Sequence, residues 1–209
     1  MSKLIMFDYD GVIVDSLEAF CDACVAAFHA AGLPQYATRE TILAFHDMNW
    51  FAAFAAAGIP EATAQEIEDA IARACDGNQD VRPFLGIAKV VATLAKEHTL
   101  IIITSSRTRV AEAFLIAQGI VGITRVIGSD SETSKTRKIE VVKADYGAEL
   151  EYWYVGDTVG DIVEGKAAGV RTIAVGWGWH DAERLLAASP DYLAQTPADL
   201  LEFLGRRPS

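Results

Sequence analysis

The stretch Lys3–Ser16, KLIMFDYDGVIVDS, begins with a short apolar run and continues into a cluster of carboxylates. A short, continuous apolar run of this kind is typical of a strand that is buried on both faces of a parallel sheet. Asp8 and Asp10 follow the run, and residues two apart at a strand end can project in similar directions. Gly11 then allows a tight turn close to a ligand. The stretch therefore predicts a first strand that delivers two acidic side chains to one place.

Further apolar runs follow along the chain, with helical patterns between them. They are TLIIIT at 99–104, TRVIGS at 124–129, YWYVG at 152–156 and RTIAVGW at 171–177. Short apolar strands that alternate with helices indicate a parallel sheet covered on both faces. The predicted fold is therefore a doubly wound, Rossmann-like α/β core.

One interval, 15–80, has no strand pattern and is expected to be an all-helical cap inserted into a core of residues 1–14 and 81–209. Its helices are predicted at 15–31, 38–46, 49–57 and 60–75. Asp15 and Glu18, three residues apart at its start, suit a capping box, so Asp15 is expected to begin the first helix rather than to take part in catalysis. The turn-rich segment near residue 80 is the predicted return to the core.

Composition excludes several classes of partner. The chain has 209 residues, 51% of them hydrophobic, and a formal net charge of −11, so nucleic acid and anionic membrane surfaces are not expected partners. An acidic protein that handles an anionic substrate needs local compensation, for which a divalent cation is the obvious candidate. With no long apolar span, no signal-peptide pattern and only three cysteines, the protein is predicted to be cytoplasmic. Cys21 and Cys24 form a CxxC pair that is expected to be buried in a helix.

Hydroxyl groups follow the second long strand of the predicted core. Thr104, Ser105 and Ser106 end the run TLIIITSS. Hydroxyls and backbone N–H groups at the carboxyl end of a strand, next to a helix start, form a natural phosphate cradle. The segment is a candidate phosphate site.

Charged residues follow in two later segments. Lys135 and Lys138 precede a helix that is predicted to begin near Ile139, and either lysine could place an ammonium group against an anion. Asp157 and Asp161 follow another strand and stand four apart, where like charges repel unless a cation binds them. Since open α/β sheets bind ligands at the carboxyl ends of their strands, these groups together describe a site for a hard cation and a phosphoryl group.

These motifs resemble those of the haloacid dehalogenase (HAD) superfamily, in its phosphatase branch with a small helical cap. The likeness rests on DYDGV at 8–12, ITSS at 103–106, a lysine before a late helix, and GDTVGD at 156–161. FDYDGVIVDS, VGWGW and PDYLAQTPADLLEFL are most similar to phosphoglycolate-phosphatase-like members. The resemblance implies an Mg²⁺-dependent phosphatase that hydrolyses a small phosphorylated metabolite through an aspartyl-phosphate.

The resemblance also implies roles for the first three motifs. Asp8 would be the nucleophile, and Asp10 would be the general acid and then the general base. Thr104 and Ser105 would bind the phosphoryl group together with a lysine. Lys138 is the preferred candidate for this lysine, because KIEVV resembles the family's motif of a lysine followed directly by a helix. Lys135 is the alternative.

For the metal, the resemblance implies that Asp157 binds Mg²⁺ with Asp8 and the backbone carbonyl of Asp10, while Asp161 orients a water of the metal. Dehalogenation is disfavoured because those enzymes have no acid at the position of Asp10 and need no metal. The lysine-dependent phosphonate hydrolases are disfavoured because residues 15–80 contain no lysine.

Three alternatives stay open at this point. A sugar-phosphate phosphomutase would use the same acids and metal, while a phospho-accepting receiver-like domain or a HAD-type binding protein would not be an enzyme. The substrate and the oligomeric state do not follow from the sequence. Possible substrate contacts in the cap are Arg39, His46, Asp47, Asn49 and Trp50.

Overall fold

The structure, a computed structural model, describes residues 2–46, 50–77 and 80–205. The chain forms two compact units, one made of Met1–Asp15 and Arg82–Ser209 and the other of Ser16–Val81. Among the described residues, no helix has the length and apolar character needed to cross a membrane.

The first unit is built on a six-stranded sheet in the order β5-β4-β1-β6-β7-β8, and all of its described pairs are parallel. Its strands are β1 Lys3–Phe7, β4 Thr99–Ile103, β5 Ile123–Ile127, β6 Glu151–Gly156, β7 Arg171–Val175 and β8 Tyr192–Ala194. The central strand β1 is buried along its whole length, as its apolar sequence requires. The predicted doubly wound α/β core is confirmed.

The second unit contains helices α1 Leu17–Ala30, α2 Arg39–His46, α3 Trp50–Ala56 and α4 Glu61–Gly77, with a short 3₁₀ helix at Pro34–Tyr36. Aromatic rings form part of its own core: the Phe28 and Phe54 rings meet edge to face at 5.9 Å, and Phe45 lies 5.5 Å from Phe54. Cys21 and Cys24 are buried on α1, and burial raises the pKa of both thiols.

The prediction that Asp15 begins the first helix was wrong. Asp15 belongs to a two-residue strand, β2 Val14–Asp15, which pairs antiparallel with β3 Arg82–Pro83, and the N-cap of α1 is Ser16. Within the described residues, the Ser16 side chain makes no capping hydrogen bond. Because Asp15 pairs through its backbone with Arg82, it is held extended where the chain leaves and re-enters the first unit.

Helices connect and cover the strands of the first unit. They are α5 Ile87–Leu94, α6 Thr108–Ala117, α7 Lys135–Tyr146, α8 Val159–Ala167, α9 Ala182–Ala187 and α10 Asp199–Gly205. The apolar core on one side of the sheet includes Leu4, Met6 and Ile101, with Ile139 and Val142 from α7. This packing places the first turn of α7 close to the carboxyl edge of the sheet.

Candidate active site

Three neighbouring strands end at the same edge of the sheet and define the site. β1 pairs in parallel with β4 on one side and with β6 on the other. The residues that follow these strands are Asp8, Thr104 and Asp157, and all three are buried. The parallel pairing therefore brings together side chains that are far apart in the sequence.

Three carboxylates form the acidic centre of this edge. Asp8, Asp157 and Asp161 each offer an oxygen, and these oxygens lie within 4.8 Å of one another. Burial raises the pKa of Asp157 well above its usual range, and the charges of Asp161 and Asp8 raise it further. A buried acidic group of this kind is stable in its ionised form only beside a compensating positive charge.

The donor atoms fit a divalent cation. Asp157 Oδ2 accepts a hydrogen bond from the Trp179 backbone N–H at 2.7 Å, whereas its buried Oδ1 has no hydrogen-bond partner among the described residues. Mg²⁺ prefers oxygen ligands of this type and is commonly held by one or two carboxylates. Asp157 Oδ1 and the carboxylate of Asp8 are therefore suited to hold the ion.

Asp161 differs from Asp157 in that both of its carboxylate oxygens accept hydrogen bonds from protein groups. Its Oδ1 accepts from Lys135 Nζ and from the Tyr154 hydroxyl, at 2.6 and 3.1 Å. Its Oδ2 accepts from the backbone N–H and the hydroxyl of Thr158, at 3.0 and 2.7 Å, which completes a capping box at the start of α8. Because protein donors already occupy both oxygens, the geometry suits Asp161 to orienting Lys135 and α8 rather than to direct metal binding.

Lys135 supplies the positive charge inside the protein. Its Nζ donates to Asp8 Oδ2 at 2.7 Å and to Asp161 Oδ1 at 2.6 Å. Burial alone would lower the pKa of Lys135, but the charges of Asp161 and Asp8 raise it well above the usual range. Burial raises the pKa of Asp8 to about 7, against the opposing charge of Lys135. Lys135 therefore stays an ammonium ion in contact with two of the three acids.

Lys138 lies elsewhere, in contrast to the preference stated from the sequence. Its Nζ donates to the backbone carbonyl of Thr104 at 2.7 Å, and burial, helped by the charge of Lys135, lowers its pKa to about 8. The expectation that α7 begins near Ile139 was wrong, because the helix begins at Lys135 after the N-cap Ser134. The lysine that directly contacts Asp8 is therefore the one on the first turn of the helix.

The hydroxyls after β4 take separate positions. Thr104 Oγ1 is buried and accepts from the Ser106 backbone N–H at 2.9 Å, so its own O–H proton can be donated to a ligand. The Ser106 hydroxyl donates to Asp10 Oδ2 at 2.7 Å, while Ser105 is exposed. All three hydroxyls were candidates for the site because they follow a predicted strand. Nothing in the spacing of the sequence showed that Ser106 contacts Asp10.

A loop after β7 fixes Asp157 and was not recognised from the sequence as part of the site. Besides the contact of Trp179 with the Asp157 carboxylate, the backbone N–H of His180 donates to the Asp157 carbonyl at 3.3 Å. A Cβ on Gly178 would lie 2.3 Å from the Asp157 Cβ. On the other side, Gly11 has φ +72°, and a Cβ there would lie 1.9 Å from Asp157 Oδ2. The sequence signal that could have identified this loop is the pair of glycines in VGWGW, at the carboxyl end of a strand.

Of the possible substrate contacts in the helical unit, only Arg39 has a described side chain. It forms an exposed ion pair with Glu18 inside that unit. His46, Asp47, Asn49 and Trp50 lie outside the residues whose side chains the structure describes.

Comparison with known proteins gives consistent matches. Residues 5–175 match the family model of the haloacid dehalogenase-like hydrolases. A phosphoglycolate phosphatase of Synechococcus elongatus is 29% identical, with 96% of each chain covered. An N-acetylmuramic acid 6-phosphate phosphatase of Pseudomonas aeruginosa is 24% identical over 98% of this chain and 95% of that protein. The crystal structure of a predicted phosphatase from Clostridium acetobutylicum, 16% identical, shares the fold with a TM-score of 0.84 over 98% of both chains.

The two lysines can be distinguished by matched substitutions. Lys135→Met removes the charge between Asp8 and Asp161, and we expect phosphate release from p-nitrophenyl phosphate to fall by about 10²–10³-fold. Lys138→Met removes an ammonium group that donates to the Thr104 carbonyl and not to Asp8, and the loss should stay below about tenfold. Steady-state assays of both variants, with folding checked by circular dichroism, provide the measurement. If Lys138→Met lost more activity than Lys135→Met, Lys138 would be the lysine that serves the phosphate site.

The loop after β7 makes a prediction about metal affinity. Gly178→Ala introduces a methyl group that would displace Asp157, so we expect the Mg²⁺ concentration for half-maximal activity to rise by about 10–100-fold. Gly160→Ala is the matched control, since the nearest atom to its added methyl would be 3.6 Å away. Mg²⁺ titrations of the three proteins measure the effect, and equal affinities would contradict this role of the loop.

Proposed function

This chain belongs to the haloacid dehalogenase-like hydrolase family and is one of its phosphatases, and we propose that it hydrolyses a small phosphate monoester through an aspartyl-phosphate on Asp8, with Mg²⁺ as cofactor. The observation that carries the proposal is the contact of Lys135 with Asp8 beside the open carboxylate oxygen of Asp157. A nucleophilic carboxylate, an ammonium ion and a cation ligand thus meet at one edge.

Asp8 performs the chemical step. Its carboxylate attacks phosphorus, so that a bond forms between an Asp8 oxygen and phosphorus while the bond from phosphorus to the leaving alcohol breaks. Asp10 gives its proton to the departing oxygen and then takes a proton from water. That water attacks the phosphorus of the aspartyl-phosphate, which releases inorganic phosphate and regenerates the Asp8 carboxylate.

Charge compensation makes this attack possible. A carboxylate and a phosphate dianion repel each other, and the ammonium group of Lys135, 2.7 Å from Asp8 Oδ2, opposes that repulsion. When bound, Mg²⁺ supplies further positive charge for the phosphoryl oxygens. Asp8, Asp157 and the backbone carbonyl of Asp10 are the groups that we propose to hold it.

Thr104 is the proposed phosphate ligand. Since its oxygen already accepts from the Ser106 backbone N–H, its proton is left to bind a phosphoryl oxygen. Ser105, exposed beside it, is proposed as a further phosphate contact. Lys135 replaces Lys138 as the lysine of the phosphate site in this proposal.

The substrate is proposed by class. Relatives named as phosphatases of phosphoglycolate and of N-acetylmuramic acid 6-phosphate act on small phosphorylated molecules, and 2-phosphoglycolate is the first substrate to test. The net charge of −11 disfavours nucleic acid. We propose that the helical unit, Ser16–Val81, is a cap that selects the substrate. The described free cysteines support a cytoplasmic location.

Removal of the nucleophile or of the metal tests the proposal. We expect Asp8→Asn to lower phosphate release by at least about 10³-fold, because an amide does not attack phosphorus, and EDTA to abolish it until Mg²⁺ is restored. Asp145→Asn, the same change at an exposed surface ion pair, should leave turnover unchanged. The assay is phosphate release from p-nitrophenyl phosphate and from a panel of phosphorylated metabolites.

Two outcomes would contradict the proposed reaction. Undiminished turnover of Asp8→Asn would remove Asp8 as the nucleophile. Transfer of the phosphoryl group to a sugar hydroxyl in preference to water would make the protein a phosphomutase.

A further inference from the structure

We propose that Ser106 is a positioning residue that aims the carboxyl group of Asp10 at the leaving group, an inference that rests on the proposed function. The two residues are 96 positions apart in the sequence, yet the Ser106 hydroxyl donates to Asp10 Oδ2 at 2.7 Å. This contact joins the loop after β4, which supplies the proposed phosphate ligand Thr104, to the loop after β1, which supplies the proposed acid.

Ser106 is itself held in place on both sides of its backbone. Its N–H donates to Thr104 Oγ1 at 2.9 Å, and its carbonyl accepts from the Ser129 N–H at 3.0 Å. Gly128 packs tightly against it, since a Cβ on that glycine would lie 2.6 Å from the Ser106 carbonyl oxygen. The hydroxyl of Ser106 is therefore attached to a fixed backbone and can hold a partner in a defined position.

Asp10 also has a fixed backbone. The Gly11 N–H that follows it donates to the Val14 carbonyl at 2.9 Å, and Asp10 forms an isolated bridge with Val14. The residue itself is only half-buried, in contrast to the buried Asp8. A strong hydrogen bond to one carboxylate oxygen restricts the rotamer of such a side chain, and proton transfer depends steeply on that orientation.

The same network links phosphate binding to proton transfer. The Ser106 N–H fixes the oxygen of Thr104, and the Ser106 hydroxyl fixes Asp10. One residue thus sets the position of the proposed phosphate ligand through its backbone and of the proposed acid through its side chain. A Ser106→Ala substitution keeps the backbone contact and, as far as the described residues go, removes only the contact with Asp10.

Dependence on the leaving group separates positioning from a merely structural role. An alkyl alcohol needs a proton as it departs, whereas p-nitrophenolate departs readily without one. Since kcat/KM reports steps up to the first irreversible one, the departure of the leaving group, it isolates this proton transfer. A structural defect would instead lower kcat/KM for both kinds of ester alike.

The experiment compares wild-type protein, Ser106→Ala, Ser106→Thr and Ser129→Ala in the full chain. The substrates are p-nitrophenyl phosphate and the alkyl phosphate that the wild-type protein hydrolyses fastest. We expect Ser106→Ala to lose about 10–100-fold in kcat/KM on the alkyl phosphate and less than about threefold on p-nitrophenyl phosphate. Ser106→Thr, which keeps a hydroxyl, should recover most of the alkyl activity.

Ser129→Ala is the matched control, because it removes a half-buried hydroxyl from the adjacent loop and keeps the backbone bond to Ser106. It should match wild type on both substrates. Equal losses of Ser106→Ala on the two esters, or no loss on either, would overturn the positioning role.

A failure of this inference can be told from a failure of the proposed function. Asp8→Asn and Asp10→Asn are measured in the same assay, and Asp10→Asn should show the same preference for the aryl ester, to a larger extent. If Asp8→Asn stays active, the proposed reaction fails. If Asp8→Asn is inactive and Asp10→Asn is selective but Ser106→Ala is not, only the role of Ser106 fails.

Discussion

The contact of Lys135 with Asp8 and Asp161 is the interaction on which the rest of the site depends. Three buried carboxylates lie close together at the end of the sheet, and isolated buried charges are costly. The ammonium ion of Lys135 compensates two of them at hydrogen-bonding distance. The third acid, Asp157, has one oxygen with no hydrogen-bond partner in the described part of the chain and is suited to a cation from solution. The negative charge of the site is thus compensated by the ammonium ion of Lys135 and leaves a place for a bound cation.

The fold maintains this balance through backbone geometry. Asp8 and Asp157 are placed by adjacent parallel strands, and the Asp8 N–H donates to the Val155 carbonyl at 2.8 Å. Lys135 is placed by the start of α7, whose apolar residues pack on the sheet. Asp161 has a double role, because the carboxylate that contacts Lys135 also caps α8. A change that moves either helix start would therefore disturb the charge balance as well as local stability.

The sequence located the acids at one edge of the sheet more readily than it located the groups that contact them. Asp8, Asp157 and Thr104 follow strands that apolar runs marked clearly, and strand ends of a parallel sheet meet at one edge. The sequence favoured Lys138, but Lys135 and Lys138 are one helical turn apart, and only the start of α7 decides which of them reaches Asp8. Asp15 was assigned to a helix cap because its pairing with the distant Arg82 leaves no local signal. The contact of Ser106 with Asp10 is likewise a product of long-range packing.

The sequence by itself determined the parallel α/β core, the helices of the inserted segment and the motifs that resemble the HAD superfamily. Those features depend on local periodicity and on residues at strand ends, which a linear pattern records. Only the tertiary structure decided that Lys135 contacts Asp8, that Lys138 holds the Thr104 carbonyl, and that backbone N–H groups after β7 hold Asp157. These contacts depend on where helices begin and on distances of a few ångströms between separate elements. Hydrogen bonds and charges respond to those distances, and the order of residues along the chain does not specify them.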